Sequence, residues 1–391
     1  MKLNFEKLKI KKSLAVLIIF CALCVSGAVT LVAAQLLSSA VPPAAVIEEN
    51  AGELPPKSVT IEVAAVGDNL MHMPLINSAL TDYGYNFDGF YENIAPYFDG
   101  ADIKVINQET VFINDPTRYS GYPSFGGPSA VGESLVKTGF NVILQSSNHS
   151  YDKGLDGLRD TVAFWKTQPV SLLGVNETPE EALRVDKFTK DGFTVAMMNY
   201  TYGLNGYVLP KGEEFRINVL SDEARSDIAE QIARAKAESD LLIVFPHWGT
   251  EYDTSPDSYQ RDWLQFFNEN GVDIIIGAHP HVLQPVEEFV GESGYKTLVF
   301  YSLGNFISNQ DAITKELGGM AKVTLVKDEA GCRVEKYSLE PCFTHVSGGK
   351  YTVYMLADYS DELAAGHSKY GGALRTEKIW NKFEEITGIE R

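Results

Sequence analysis

The chain has 391 residues, 45% hydrophobic and 22% charged, with a formal net charge of −19. Its apolar content excludes a disordered chain, and 33 glycines with 17 prolines exclude a collagen-like fibre. Its acidity argues against nucleic acid as a partner, since phosphates would be repelled over most of the surface. The length leaves room for two or three domains at roughly 150 residues each, or for one large α/β domain.

The N-terminal end differs from the rest. Residues 1–12 hold Lys2, Lys7, Lys9, Lys11 and Lys12 against Glu6, and no charge follows from Leu14 to Leu37. A helix over that run, at about 1.5 Å per residue, reaches roughly 36 Å, enough for a hydrocarbon core of about 30 Å. The expectation is a basic cytoplasmic segment over 1–12 and a single transmembrane anchor over 13–38. The lysines then keep the N-terminus inside and send the body out of the cytoplasm. A cleaved signal peptide is the alternative, with Ser38-Ser39-Ala40 as its cleavage site, but the apolar run exceeds the usual length of about 7–15 residues. Phe20 and Leu23, which precede Cys21 and Cys24, fit lipoprotein processing poorly. Residues 39–58, with Pro42, Pro43, Pro55 and Pro56, read as a semi-extended linker.

From residue 59 onward, short apolar runs alternate with amphipathic stretches, the pattern of helices covering a largely buried sheet. Strands are expected at 60–66, 103–107, 142–145, 170–173, 194–199, 241–245, 274–276 and 298–301. Helices are expected at 221–239 and 258–270, the second stopped by Gly271. After Gly319 the pattern turns to a hairpin, 322–327 and 333–339, around Asp328-Glu329-Ala330-Gly331. The main domain is expected over 59–345, followed by a C-terminal extension, 346–391, with a helix from about Arg375. Cys332 and Cys342 are the body's cysteines, and spacing alone leaves open whether they pair or stay free.

Polar side chains gather directly after the strands, where open α/β sheets place their ligand sites. They are Gly67-Asp68-Asn69, Asn107-Gln108-Glu109, Ser146-Ser147-Asn148-His149, His247-Trp248-Gly249-Thr250-Glu251 and Gly277-Ala278-His279-Pro280-His281. Singly, each reads more simply as a cap, a turn or a satisfied core polar group, and His72 as part of a loop or helix start. Jointly they point to a metal site. Four of the seven histidines lie at these strand ends, and Pro280 biases His279 toward an extended form that sends His279 and His281 to one side. Mixed imidazole, carboxylate and amide donors suit Mn, Fe or Zn better than Ca or Mg. Their number exceeds what one tetrahedral ion needs, so two ions are expected, a clamp suited to phosphoryl-type displacement. The stretch Tyr119–Gly127 reads either as a packed turn or as a substrate-facing loop.

With Asp152, Gly154 and Tyr301-Ser302-Leu303-Gly304-Asn305-Phe306 added, the ordered set resembles the CapA family of poly-γ-glutamate capsule synthesis proteins, from about Ile61 to about Gln310. That family is related to the calcineurin-like metallophosphoesterases, so the resemblance implies a four-layer α/β/β/α sandwich. It implies Asp68, Glu109, Asn148, His247, His279 and His281 as the metal shell and His149 as a general acid or oxygen-binding group. Asn107, Glu251 and Asn305 would then face substrate. The sequence departs from the phosphoesterase pattern at Leu70, where a histidine is usual, and at Glu109, where an aspartate usually bridges the metals. Together with the anchor and linker, the resemblance implies an outward-facing protein in a membrane complex that makes or exports an anionic polymer. An extracytoplasmic phosphoesterase and a non-catalytic polymer-binding subunit are the alternatives.

Overall fold

The computed structural model describes residues 58–391. The expected basic segment, anchor and nearly all of the linker lie outside the described residues. Among the described residues, no helix is long and apolar enough to cross a membrane.

Two mixed β-sheets organise the body. The first contains β1 (Ser58–Asn69), β2 (Ile103–Gln108), β3 (Val142–Leu144) and β4 (Ser171–Leu173). The second contains β5 (Asp186–Lys190), β6 (Phe193–Thr201), β7 (Leu241–His247), β8 (Ile274–Ile276), β9 (Val286–Val290) and β10 (Lys296–Phe300). The chain then returns to the first sheet with β11 (Asn305–Ile307), β12 (Leu317–Asp328), β13 (Gly331–Ser347) and β14 (Lys350–Met355). The spatial orders are β14-β13-β12-β1-β2-β3-β4, with β11 beside the end of β1, and β9-β10-β8-β7-β6-β5. β1 to β4 run parallel, as do β6, β7, β8 and β10. The site-bearing ends of both parallel groups can therefore meet.

The two-residue side-chain period explains the packing. Ile61, Val63 and Ala65 of β1 join Ile243 and Phe245 of β7 and Ile274 and Ile276 of β8 in one cluster shared by the two sheets. The alternate residues Ala64 and Val66 instead pack with the helices Met73–Ser78, Asp88–Tyr91 and α1 (Ala130–Thr138). On the second sheet, Leu242, Val244 and Ile275 pack with α3 (Arg225–Ala237) and α4 (Ser258–Glu269). Between β3 and β4 in the chain, α2 (Gly154–Trp165) follows the loop that carries Asn148 and His149. Asp257 and Gln260 close a capping box on α4, which fixes where that helix starts.

The C-terminal part is integral to this packing. The expected boundary at 345/346 falls inside β13, and Ile379, Phe383 and Ile386 of α5 (Thr376–Thr387) join the cluster shared by the sheets. Cys332 and Cys342 are free and lie on the same strand, β13. Ten residues of strand separate Cα atoms by roughly 33 Å, far beyond disulfide reach. The two cysteines therefore do not pair with each other.

Candidate metal site

Asp68 lies one residue before the end of β1, where the ladder to β2 slips by one residue, between Val66 and Asp68. The carboxylate is fully buried and held on all sides. Asn107 Nδ2 donates to Oδ1 at 2.8 Å, the His279 backbone N–H to Oδ2 at 3.3 Å, and His281 Nδ1 lies 3.1 Å from Oδ2. Gly67 is required beside it, because a Cβ there would lie 1.9 Å from the Gly304 carbonyl oxygen.

His281 Nδ1 is also 3.1 Å from Asn305 Oδ1. Both neighbours accept, so Nδ1 carries the proton, and in the neutral ring Nε2 keeps its lone pair. Burial would lower this imidazole, but Glu109 and Asp68 outweigh it and raise it to about 9. His279 moves the other way. Burial, reinforced by the imidazoles of His247 and His281, holds it well below 6.5, and its Nδ1 has no partner.

The expected extended His279-Pro280-His281 tripeptide is not what the chain adopts: φ is 100° at His279 and 59° at His281. Polar contacts hold this strained backbone. Tyr252 N–H donates to the Pro280 carbonyl at 2.7 Å, and Asn305 Nδ2 to the His281 carbonyl at 3.2 Å. The rings still converge, with centroids 5.8 Å apart, and the His247 ring is 4.8 Å from His279.

Glu109 stands among these rings. It is fully buried, and neither carboxylate oxygen has a hydrogen-bond partner. His247 Nε2 and His281 Nε2 lie 3.6 and 3.7 Å from Oε1. Burial would raise the Glu109 carboxyl, but His281 and His247 hold it below the ordinary carboxylate range. His247 Nε2 is 2.9 Å from Asn148 Oδ1, and its Nδ1 is 3.2 Å from Asn107 Nδ2. Asp68, Glu109, Asn148, His247, His279 and His281 are thus brought together. Three of their groupings have donors close enough to share an ion: Glu109-His247-His279, Asp68-Glu109-His281 and, at the exposed side, Glu251-His279-His281. Buried polar atoms are rarely left without partners, so the orphaned oxygens of Glu109 and nitrogen of His279 fit a divalent cation.

His149 lies beside this cluster. Its Nδ1 is 2.7 Å from Asp152 Oδ2, which also accepts the Phe125 backbone N–H at 2.6 Å. The Phe125 ring lies edge-on between His149 and His72, so Tyr119–Gly127 is in part packed against the site. Two residues outside the sequence expectation complete the surroundings. The Tyr202 ring lies 4.5 Å from that of His279, and Asn205 Oδ1 accepts from Asn148 Nδ2 at 3.1 Å. Both belong to a loop after β6 without hydrophobic period, where the one signal was polar residues following a strand.

Asn107 and Asn305, expected to face substrate, are engaged by protein groups. Asn107 serves Asp68 and His247, while Asn305 Nδ2 donates to the carbonyls of His281 and Lys315 and to Gln310 Oε1. Their geometry is that of groups that orient Asp68, His247 and His281. Glu251 is exposed at the rim.

Comparison with known proteins matches residues 62–310 to the family described as "Bacterial capsule synthesis protein PGA_cap". The PGA biosynthesis protein CapA of Bacillus subtilis (strain 168) is 31% identical over 199 residues, covering 50% of this chain and 50% of its own. The capsule biosynthesis protein CapA of Bacillus anthracis is 28% identical over 258 residues, covering 64% of this chain and 60% of its own. The chain therefore spans between half and three-fifths of the length of these relatives. Among solved structures, a putative 5′-nucleotidase from Staphylococcus aureus in complex with alpha-ketoglutarate has a TM-score of 0.46 at 18% identity, over 72% of this chain and 54% of its own. The calcineurin-like phosphoesterase YfkN from Bacillus subtilis has a TM-score of 0.41 at 16% identity, over 84% and 97%.

Proposed function

This chain belongs to the bacterial capsule synthesis protein PGA_cap family, and from that premise we propose that it serves the synthesis or export of an anionic poly-γ-glutamate polymer through a divalent-metal site. The observation that carries the metal reading is Glu109, a buried carboxylate with two unpartnered oxygens set among imidazoles. Asp68, Glu109, Asn148, His247, His279 and His281 would hold the metal. Two ions of Mn, Fe or Zn suit this donor set, with Glu109 common to two of its groupings. When bound, they supply positive charge that polarises a carbonyl or phosphoryl oxygen.

The chain's own residues supply orientation and a proton. Asn107 ties Asp68 to His247, and Asn305 fixes the His281 ring. Asp152 engages His149 Nδ1, which leaves Nε2 as the position at which a proton is held or given. We further place the body, as a four-layer metallophosphoesterase-like sandwich, outside the membrane, tethered by an anchor at 13–38 within a capsule-synthesis complex.

The test replaces the family member of a polymer-producing bacterium with this chain, as wild type, Glu109→Gln and His279→Ala. The expected result is polymer from the wild type alone, at equal protein levels, and Mn, Fe or Zn in the purified wild type. Full polymer output from both variants, or a wild type without those metals, would refute the proposal. A second reading, phosphoester hydrolysis, is favoured by the His149–Asp152 pair beside the cluster. Turnover of an aryl phosphate that disappears in His149→Ala would establish it, and no turnover with metal bound would end it.

A further inference from the structure

The side chain that holds a candidate metal ligand also fixes a cation nearby. Lys315 lies in the helical turn Ile313–Glu316, directly before β12. Its carbonyl accepts from Asn305 Nδ2 at 2.8 Å, and the same amide offers Oδ1 to His281 Nδ1 at 3.1 Å. The next residue, Glu316, is fully buried, with Lys369 Nζ 3.0 Å from Oε1 and the Tyr370 hydroxyl donating to Oε2. Lys369 Nζ also donates to the Gln310 carbonyl at 3.0 Å and lies 3.1 Å from Asp311 Oδ1. The backbone of the turn is thus pinned on both sides of Lys315.

The ammonium of Lys315 stands over the ring of Tyr252, 3.5 Å from its centroid, and that ring lies 6.1 Å from the ring of His281. Gln310 Nε2 donates to the Tyr252 hydroxyl at 3.2 Å, so the ring is held as well. The neighbouring carboxylates Asp311 and Glu316 are in ion-pair contact with Lys369. Among the described residues, Lys315 has no carboxylate within ion-pair distance. A cation on an aromatic face gives up part of its hydration, which strengthens its attraction for an anion. On a chain of net charge −19, such a local cation decides where an acidic ligand lies.

We propose that Lys315, seated on Tyr252, forms an anion subsite beside the metal cluster and receives a carboxylate or phosphate group of the substrate. Choosing a polycarboxylate as its natural occupant rests on the capsule-polymer reading above. A γ-linked glutamate chain carries one free carboxylate on every repeat, so a group at the cluster has a charged neighbour to offer Lys315. The residues that fix the subsite from one side, Lys315, Glu316, Lys369 and Tyr370, all lie beyond the stretch matched to the family, 62–310.

The test is calorimetric titration of the full-length chain in saturating Mn²⁺. The probes are a γ-linked glutamate oligomer, its uncharged α-carboxamide counterpart and inorganic phosphate. The wild type is expected to bind the glutamate oligomer and not the carboxamide. Lys315→Met should weaken that binding roughly tenfold while leaving the Mn²⁺ isotherm unchanged, and Lys315→Arg should restore most of it. Equal oligomer binding by wild type and Lys315→Met overturns the subsite and leaves the polymer reading standing. Phosphate binding that depends on Lys315, without oligomer binding, keeps the subsite and removes the polymer as its occupant. A wild type that binds neither anion overturns the subsite.

Discussion

Gly67 is the position at which the fold and the metal site are most directly joined, and alanine there tests that junction. The added Cβ would lie 1.9 Å from the Gly304 carbonyl oxygen and 3.0 Å from its carbon. Both are backbone atoms, so no side-chain rotation relieves the clash, and β11 must shift away from β1. That shift breaks the 2.9 Å bond from Asp68 N–H to the Gly304 carbonyl and the pairing of Asp68 with Asn305. Overpacking costs about 1–3 kcal/mol, and a buried N–H left without its partner about 1–3 more. The expected loss of stability is therefore about 2–6 kcal/mol. Moving Asn305 also releases His281 Nδ1, and losing such an orienting partner lowers metal affinity roughly 10- to 100-fold. Urea unfolding of the metal-free chain measures the first effect, and Mn²⁺ titration under native conditions the second. Gly89→Ala is the control, since a Cβ there meets nothing within 4 Å. Wild-type stability in Gly67→Ala would refute the packing argument. Lost stability with unchanged metal affinity would refute the positioning role of Asn305.

Acid should act on His367, which burial holds down to about 4, with the Thr344 carbonyl pulling the other way. The unfolded chain takes up this proton first as pH falls. The contribution is thus whole above about pH 6.5 and lost toward pH 4, on the order of 3 kcal/mol, and His367→Gln should show a shallower decline in urea midpoint over that range. Identical slopes in the two proteins would exclude His367 as the source. Asp152→Ala should destabilise the chain by about 1–3 kcal/mol, because the Phe125 N–H loses its acceptor, and unchanged unfolding would show that this contact is dispensable. Under denaturing, non-reducing conditions, thiol titration should find Cys332 and Cys342 both reactive, and peptide mapping that joins them would contradict their separation along β13.

The strands legible in the sequence include those buried on both faces. Residues 241–245 and 274–276 are continuous apolar runs, and 103–107 is one interrupted by Lys104; each leads into polar residues, and each became a parallel strand with site residues at its end. Two edge strands, β5 and β9, were not legible. Asp186–Lys190 and Val286–Val290 carry charges and are only partly buried, so their pattern does not separate them from loops. The six expected metal ligands share a legible feature, an oxygen or imidazole directly after an apolar run. Tyr202 and Asn205 lack it, since their loop is placed by tertiary contacts. Asn305 was legible as part of the site but its contacts were not, because they depend on carbonyls at 281 and 315 that only folding brings to its amide.

The same limit applies to the C-terminal part, and there it bears on function. A hairpin and a terminal helix can be read from local pattern, whereas what they pack against cannot. β12 pairs with β1 along its length, from Ser58 opposite Asp328 to Val66 opposite Met320. It thereby supports the strand that carries Asp68, across more than 250 residues of sequence. Lys369 and Tyr370 reach back to Glu316 and so set the turn that carries Lys315. The candidate ligands converge in the region matched to the family, but part of what holds them and the cation beside them is built by residues after 310. Differences among relatives in this later segment would alter which anion is received next to the metal site without changing a single ligand.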